Sequence, residues 1–225
     1  MLDHGLPRTD EPRARPGDTG LARDPAAAAA RARRLRVGLL NNMPDTALVQ
    51  TERQFRRLLG GEAELSLFSL SSVPRGPLAR AHLERFYAPH TDLPEAGLDA
   101  LVITGSEPKA ARLDWEPYYA DFTTVVDWAA HGTVSTLFSC LAAHAAVLHL
   151  DGVERRRLPD KHSGVFACRA VAAHPLLAGL PATAPVPHSR WNDLPEPDLL
   201  ARGYEVLRRS DRVGVDLFLR DGSAQ

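Results

Sequence analysis

Cysteine is scarce. Only Cys140 and Cys168 occur in the 225 residues, so a disulfide framework is excluded as the basis of the fold, and a reducing cytoplasm is the expected compartment. Net charge is equally sparse. A formal balance of −1 supplies no global field toward nucleic acid or an anionic membrane, and neither is expected as a partner. No apolar run approaches the roughly 18 residues of a membrane span. The opening MLDHGLPRTDEPRARPGDTG has no apolar segment of the secretory kind. Internal repeats, a glycine-rich phosphate loop, CxxC pairs and an HExxH helix are all missing, so patterning supports no metal site and implies no bound cofactor.

What is present suits a globular protein, with 44% hydrophobic and 24% charged residues. The composition divides at about residue 34. Residues 1–34 are rich in Arg, Pro, Asp and Ala with little to bury, which predicts a disordered leader. The AAAAARARR part of it could instead form a frayed helix against a partner. Residues 35–225 form the expected folded domain.

Within that domain, LRVGLLNNMP (35–44) is an apolar run closed by Asn-Asn and Pro, a buried strand ending in a turn. Thr46 to Leu59 places Leu48, Phe55, Leu58 and Leu59 on one side of a helix that Gly60 and Gly61 stop. AELSLFSL predicts a second strand, ARAHLERFY a short helix, and LDALVITGS (98–106) a third buried strand ending at Gly105. PYYADFTTVVDWAAH is a helix with Pro117 near its first turn and Gly132 beyond its end. TVSTLFSCLAAHAAVLHLDG (133–152) then runs from strand directly into helix. Strands alternating with helices predict an α/β fold, a mostly parallel sheet with helices on both faces. Its functional residues should gather at the carboxyl ends of the strands, where NNMPD (41–45), TGSEPKAARLDW (104–115) and SCLAAH (139–144) fall. Beyond residue 152, GVERRRLPDKHSGVFACRAV reads as a charged loop entering a strand and APVPHSRWNDLPEPD as Pro-rich and irregular. YEVLRRSDRVGVDLFLRDGS reads as a hairpin whose turn includes Ser210 and Asp211.

Cys140 stands where strand becomes helix. A thiol there feels the positive end of the helix dipole, which favours thiolate. The following backbone N–H groups, beginning with Leu141, are placed to hold an oxyanion. Ala142 and Ala143 are small enough for the helix to start close to the strand. By spacing alone Cys140 is either a nucleophile or a buried small hydrophobe, and Cys168, in mid-strand, is a core residue. A cysteine nucleophile needs a base. His144 lies one turn along the same helix and reads as a packing residue, while His162 and His188 lie in polar loops.

The blocks LLNNMPDTALVQTERQF, LVITGSEP, VVDWAAHGTVSTLFSCLAAHAA, DKHSGVF and PHSRWNDLP occur in the order found in the homoserine O-succinyltransferase family, and from about residue 35 onward the chain resembles it. That family consists of cysteine-dependent homoserine O-acyltransferases whose fold resembles class I glutamine amidotransferases and flavodoxin. The resemblance implies a ping-pong transfer. The cysteine takes a succinyl or acetyl group from succinyl-CoA or acetyl-CoA, a co-substrate and not a cofactor, and passes it to the hydroxyl of L-homoserine in methionine biosynthesis. By position Cys140 matches the nucleophile, Lys161 the lysine of the family's EKLSG block, and Ser189 a substrate-pocket serine. Arg190 is a candidate for the amino-acid carboxylate, which a planar guanidinium suits. Leu141 and Ser106 are the expected oxyanion donors, and a homodimer is left open.

Three departures from the family are visible. Asp45 stands where a lysine is expected, with a longer spacing before Thr51 and Glu52. The loop after the third strand reads TGSEPK, placing Lys109 at the position that influences acyl choice, where a cation favours succinyl. The family's His and Glu belong to a GHPEY-like stretch, and no HPE occurs in the 225 residues. The expected domain therefore lacks its C-terminal catalytic strand and loop, and slow acylation is expected without that base. Rival readings are the same chemistry on L-serine or another hydroxy amino acid, and a non-catalytic binding relative. A glutamine amidotransferase is a third, although those usually carry C-x-G where this chain has Cys140, Leu141 and Ala142.

Overall fold

The computed structural model describes residues 34–132 and 135–220. The leader expected over 1–34 lies outside them except for Arg34, and so do the first two residues of the stretch beginning at Thr133.

Five strands form the first sheet: β1 (Leu35–Leu40), β2 (Ala63–Ser69), β3 (Ala88–Pro89), β4 (Ala100–Thr104) and β5 (Ser135–Ser139). They are parallel in the order β3-β2-β1-β4-β5. The helices are α1 (Asp45–Leu59), α2 (Pro77–Phe86), α3 (Tyr119–Gly132), α4 (Leu141–Asp151) and, later in the chain, α5 (Glu196–Ala201). Alternating side chains leave the sheet in opposite directions. On one face Leu40, Phe68, Leu101 and Ile103 pack with Phe122, Val125 and Val126 of α3 and with Ala142, Ala145 and Ala146 of α4. On the other, Val37, Leu39, Leu67 and Val102 meet Phe55 and Leu59 of α1. Apolar residues fill both faces, as the near-continuous hydrophobic runs of β1 and β4 require. The two-residue strand β3 is too short for any periodic signal and was not expected.

The second sheet is the main departure from expectation. The strands β6 (Arg156–Ala170), β7 (Thr183–Asp193), β8 (Glu205–Ser210) and β9 (Gly214–Leu219) are antiparallel in the order β7-β6-β8-β9. The segment expected to be irregular is therefore a strand, and the expected loop before Lys161 belongs to β6. Pro185 and Pro187 caused the misreading. β7 is an edge strand, where a missing N–H is tolerated, and both prolines occupy its exposed face while Ala184, Val186, His188 and Arg190 alternate on the other. The β8–β9 hairpin pairs Ser210 with Gly214, which leaves 211–213 as its turn. The second sheet joins the first through Val147 of α4, which packs with Val153, Leu199, Val206 and Val215. No helix among the described residues is long and apolar enough to cross a membrane.

Candidate active site

The turn between β5 and α4 is strained. Cys140 has φ 57° and ψ −124°, and among the described residues no other non-glycine residue has a positive φ. Such a conformation costs on the order of 1–3 kcal/mol and persists only where the surroundings impose it. The imposing contacts are local. Gly105 N–H donates to the Ser139 carbonyl at 3.1 Å, and Ala143 N–H donates to the Cys140 carbonyl at 3.0 Å. Gly105 also allows a close approach, because a Cβ built there would lie 2.8 Å from Leu141 N and 2.7 Å from Leu141 Cβ. The end of β4 and the first turn of α4 thus touch, and the two expected oxyanion donors, Ser106 and Leu141, belong to adjoining segments. The Cys140 side chain is exposed, whereas Cys168 is enclosed.

The asparagines of NNMPD turn out to be fasteners. Asn42 N–H donates to Thr104 Oγ1 at 2.8 Å and its Nδ2 to the Thr104 carbonyl at 3.1 Å. Asn41 Nδ2 donates to the Leu48 carbonyl and to Tyr87 Oη, both at 3.0 Å. Asp45, the departure from the expected lysine, pairs with Arg75 at 3.2 Å and accepts from Gly76 N–H at 2.8 Å.

Lys109 is exposed on the loop after β4. It contributes to a cleft of about 150 Å³ that also involves Asp45, Arg75, Ser106, Glu116 and Tyr118, and that Cys140 does not line. The loop is held by a residue that sequence reasoning passed over. Glu116 is buried, and its Oε1 accepts from the N–H groups of Lys109 at 2.6 Å and Ala110 at 2.7 Å. A glutamate just before a Pro at a helix entrance was the available signal.

The candidates on the second sheet separate by strand periodicity. Arg190 faces inward opposite His162, whereas Ser189 is exposed on the outer face opposite Ser163. Lys161 is exposed in a bulge, because five steps of β6 from Arg157 to His162 match only two of β7. Burial lowers the pKa of Arg190, and the carboxylates of Asp193 and Asp216 oppose that shift. Its Nη1 donates to the Val215 carbonyl at 3.1 Å. Nε and Nη2 are buried with no hydrogen-bond partner among the described residues, an orphaned pair of donors suited to a carboxylate.

His144 has an enclosed Nδ1 without a partner among the described residues. Burial pushes its pKa down to about 4, with repulsion from Arg155 and Arg190 adding to the shift and Asp193 opposing it. It is neutral at pH 7 and a weak proton acceptor. Arg155 was also missed; burial lowers its pKa against the pull of Tyr118 and Glu116, and its Nη1 is another buried orphan among the described residues.

A family model for homoserine O-succinyltransferase matches residues 17–225. The chain belongs to that family. The homoserine O-succinyltransferase of Methylorubrum extorquens is 66% identical over all of this chain and 68% of its own length. Those of Rhodopseudomonas palustris and Bradyrhizobium japonicum are 53% and 48% identical, covering 87% and 98% of this chain and 60% and 68% of their own lengths. The chain thus spans about two thirds or less of these relatives. Two solved structures share the fold at low identity. A GMP synthase subunit of Thermoplasma acidophilum aligns with TM-score 0.56 and 18% identity over 84% of this chain and 79% of its own. A glutamine amidotransferase of Thermotoga maritima aligns with 0.55 and 11% over 84% and 73%. The expected class I glutamine amidotransferase-like fold of this homoserine O-succinyltransferase family member is therefore the observed one.

Proposed function

We propose that this chain carries the nucleophile half of an acyl-CoA-dependent succinyl transfer to L-homoserine, a step of methionine biosynthesis, through a thioester on Cys140. The observation that carries the proposal is the positive-φ elbow at Cys140, in a chain whose relatives are homoserine O-succinyltransferases. The Cys140 thiolate attacks the thioester carbonyl of succinyl-CoA, and the Leu141 and Ser106 N–H groups stabilise the oxyanion. Collapse of the adduct breaks the C–S bond to CoA, which leaves as a thiolate and takes up a proton. The homoserine hydroxyl then attacks the S-succinyl carbonyl, loses its proton, and releases the Cys140 thiolate with O-succinylhomoserine as product. Arg190 binds the homoserine carboxylate through its free Nε and Nη2. Lys109 attracts the succinyl carboxylate, favouring this donor over acetyl-CoA. Lys161, exposed in the bulge of β6, and Ser189, on the outer face of β7, serve as outer substrate contacts. The cytoplasm is the proposed compartment.

Incubating the 225-residue chain with succinyl-CoA tests the first half-reaction independently of turnover. Intact mass and peptide mapping should find one succinyl adduct, on Cys140, that Cys140→Ser abolishes. An adduct on Cys168, or labelling that survives Cys140→Ser, overturns the proposal. Rates with homoserine against serine, and with succinyl-CoA against acetyl-CoA, then separate the acceptors and donors.

A further inference from the structure

The β6–β7 and β8–β9 ribbons are joined over a short stretch, where Arg169 pairs with Arg209 and Ala170 with Arg208 and Val171 N–H donates to the Leu207 carbonyl at 2.9 Å. The Arg190 side chain spans from one edge strand to the other, its Nη1 donating from β7 to the Val215 carbonyl of β9. Near it three side chains able to bind a metal come together from three strands: Cys168 from β6, His188 from β7 and Asp216 from β9. Cys168 Sγ lies 3.6 Å from His188 Nε2, and the same Nε2 lies 3.5 Å from Asp216 Oδ1. All three ligand atoms fall within 4.8 Å of one another. The Cys168 residue is 0% exposed, and the His188 and Asp216 side chains are 10% and 14% exposed.

We infer that Cys168, His188 and Asp216 form a binding site for one divalent cation of the zinc type. Ligands held at the usual zinc distances stand roughly 3.3–3.7 Å apart around a tetrahedral ion, close to the two short separations here. Thiolate, imidazole and carboxylate together favour zinc or cobalt over magnesium or calcium. Thiolate and carboxylate balance the ion's two charges. The nearby cations Arg190 and Arg208 each give one nitrogen to a backbone carbonyl, of Val215 and Cys168 respectively, and the remaining charge of Arg190 opposes a cation at the site. A nucleophile–histidine–acid relay is a poorer account of the trio, since a relay uses both ring nitrogens and here both contacts fall on Nε2. No linear motif announces the site, because its ligands are 20 and 28 residues apart along the chain.

The test is titration of the chelator-treated 225-residue chain with Zn²⁺ by calorimetry and with Co²⁺ by absorption. One equivalent of Zn²⁺ should bind, and Co²⁺ should give a thiolate-to-metal charge-transfer band. Cys140→Ser should retain that band, because Cys140 is outside the site, and Cys168→Ser should remove it. Asp216→Asn and His188→Gln should each weaken Zn²⁺ at least tenfold. Asp216→Asn is isosteric and partly exposed, so it decides the matter if Cys168→Ser fails to fold. A folded wild-type chain with no stoichiometric Zn²⁺ overturns the inference. So does a Co²⁺ band that follows Cys140 instead of Cys168, or unchanged affinity in Asp216→Asn.

Discussion

The two sheets differ in how much charge they bury. Both faces of the parallel sheet are lined by aliphatic and aromatic side chains, with Leu39, Leu40, Leu101 and Ile103 all at 0% exposure. The antiparallel sheet buries Val206, Leu207 and Val215 together with Arg208, Asp193 and Cys168, and nitrogens of Arg190 and Arg208 are buried there with no partner among the described residues. Burying apolar area stabilises a fold at roughly 25 cal/mol per Å², whereas burying charge is costly unless each charge is paired. The difference suggests a division of labour. The parallel sheet supplies stability and fixes the Cys140 elbow, and the antiparallel sheet holds buried charged groups at some cost to stability.

The comparison can be broken most directly at the centre of the parallel sheet. Ile103→Ala removes a fully enclosed side chain and should destabilise the chain by about 2–5 kcal/mol, read as a lower denaturation midpoint. A loss below about 1 kcal/mol would mean that the parallel core does not dominate stability.

On the polar side, His144 should impose a pH dependence. Unfolded, it takes a proton near its ordinary value of 6.5; folded, only at about 4. Between these values the unfolded chain holds more protons, so the stabilising contribution is complete above pH 6.5 and is lost as pH falls toward 4. The loss is at most about 3 kcal/mol. Denaturation of wild type and His144→Gln at pH 7 and pH 4.5 should show a smaller decline in the variant. Parallel declines would place His144 in a wetter environment.

A smaller effect is expected at the loop after β4. Glu116→Gln keeps the shape and one acceptor but weakens two charge-assisted hydrogen bonds to the Lys109 and Ala110 amides, by about 1–2 kcal/mol in total. Amide exchange at those two positions should accelerate while exchange in β4 does not. The smallest change is predicted at the outer face of the β6–β7 ribbon. Val165 is 68% exposed, so Val165→Ala should alter stability by no more than about 0.5 kcal/mol. A larger loss would show that this face is covered.

How far the sequence could be read follows the same division. The elements β1, α1, β2, β4 and the β5–α4 turn were legible, because in a parallel sheet each apolar run is its own signal and Gly60, Gly105 and Gly132 punctuate it. The strand character of β7 was hidden by Pro185 and Pro187, although its inward residues alternate without interruption. Glu116 and Arg155 belong to no periodic pattern, since their burial comes from the path of a loop that brings Glu116 to the Lys109 and Ala110 amides and within electrostatic reach of Arg155.

By itself the sequence determined the βα order, the two apolar faces of the first sheet, and the place of Cys140 at a strand-to-helix junction, all properties of local periodicity and turn chemistry. Only the tertiary structure decided the rest. It set the positive φ at Cys140, imposed by Gly105 packing on Leu141. It also separated Arg190 from Ser189 onto opposite faces of β7 and brought Cys168, His188 and Asp216 together. Such features depend on which distant strands become neighbours, and pairing between strands is set by the burial of whole faces, which no short stretch of residues encodes.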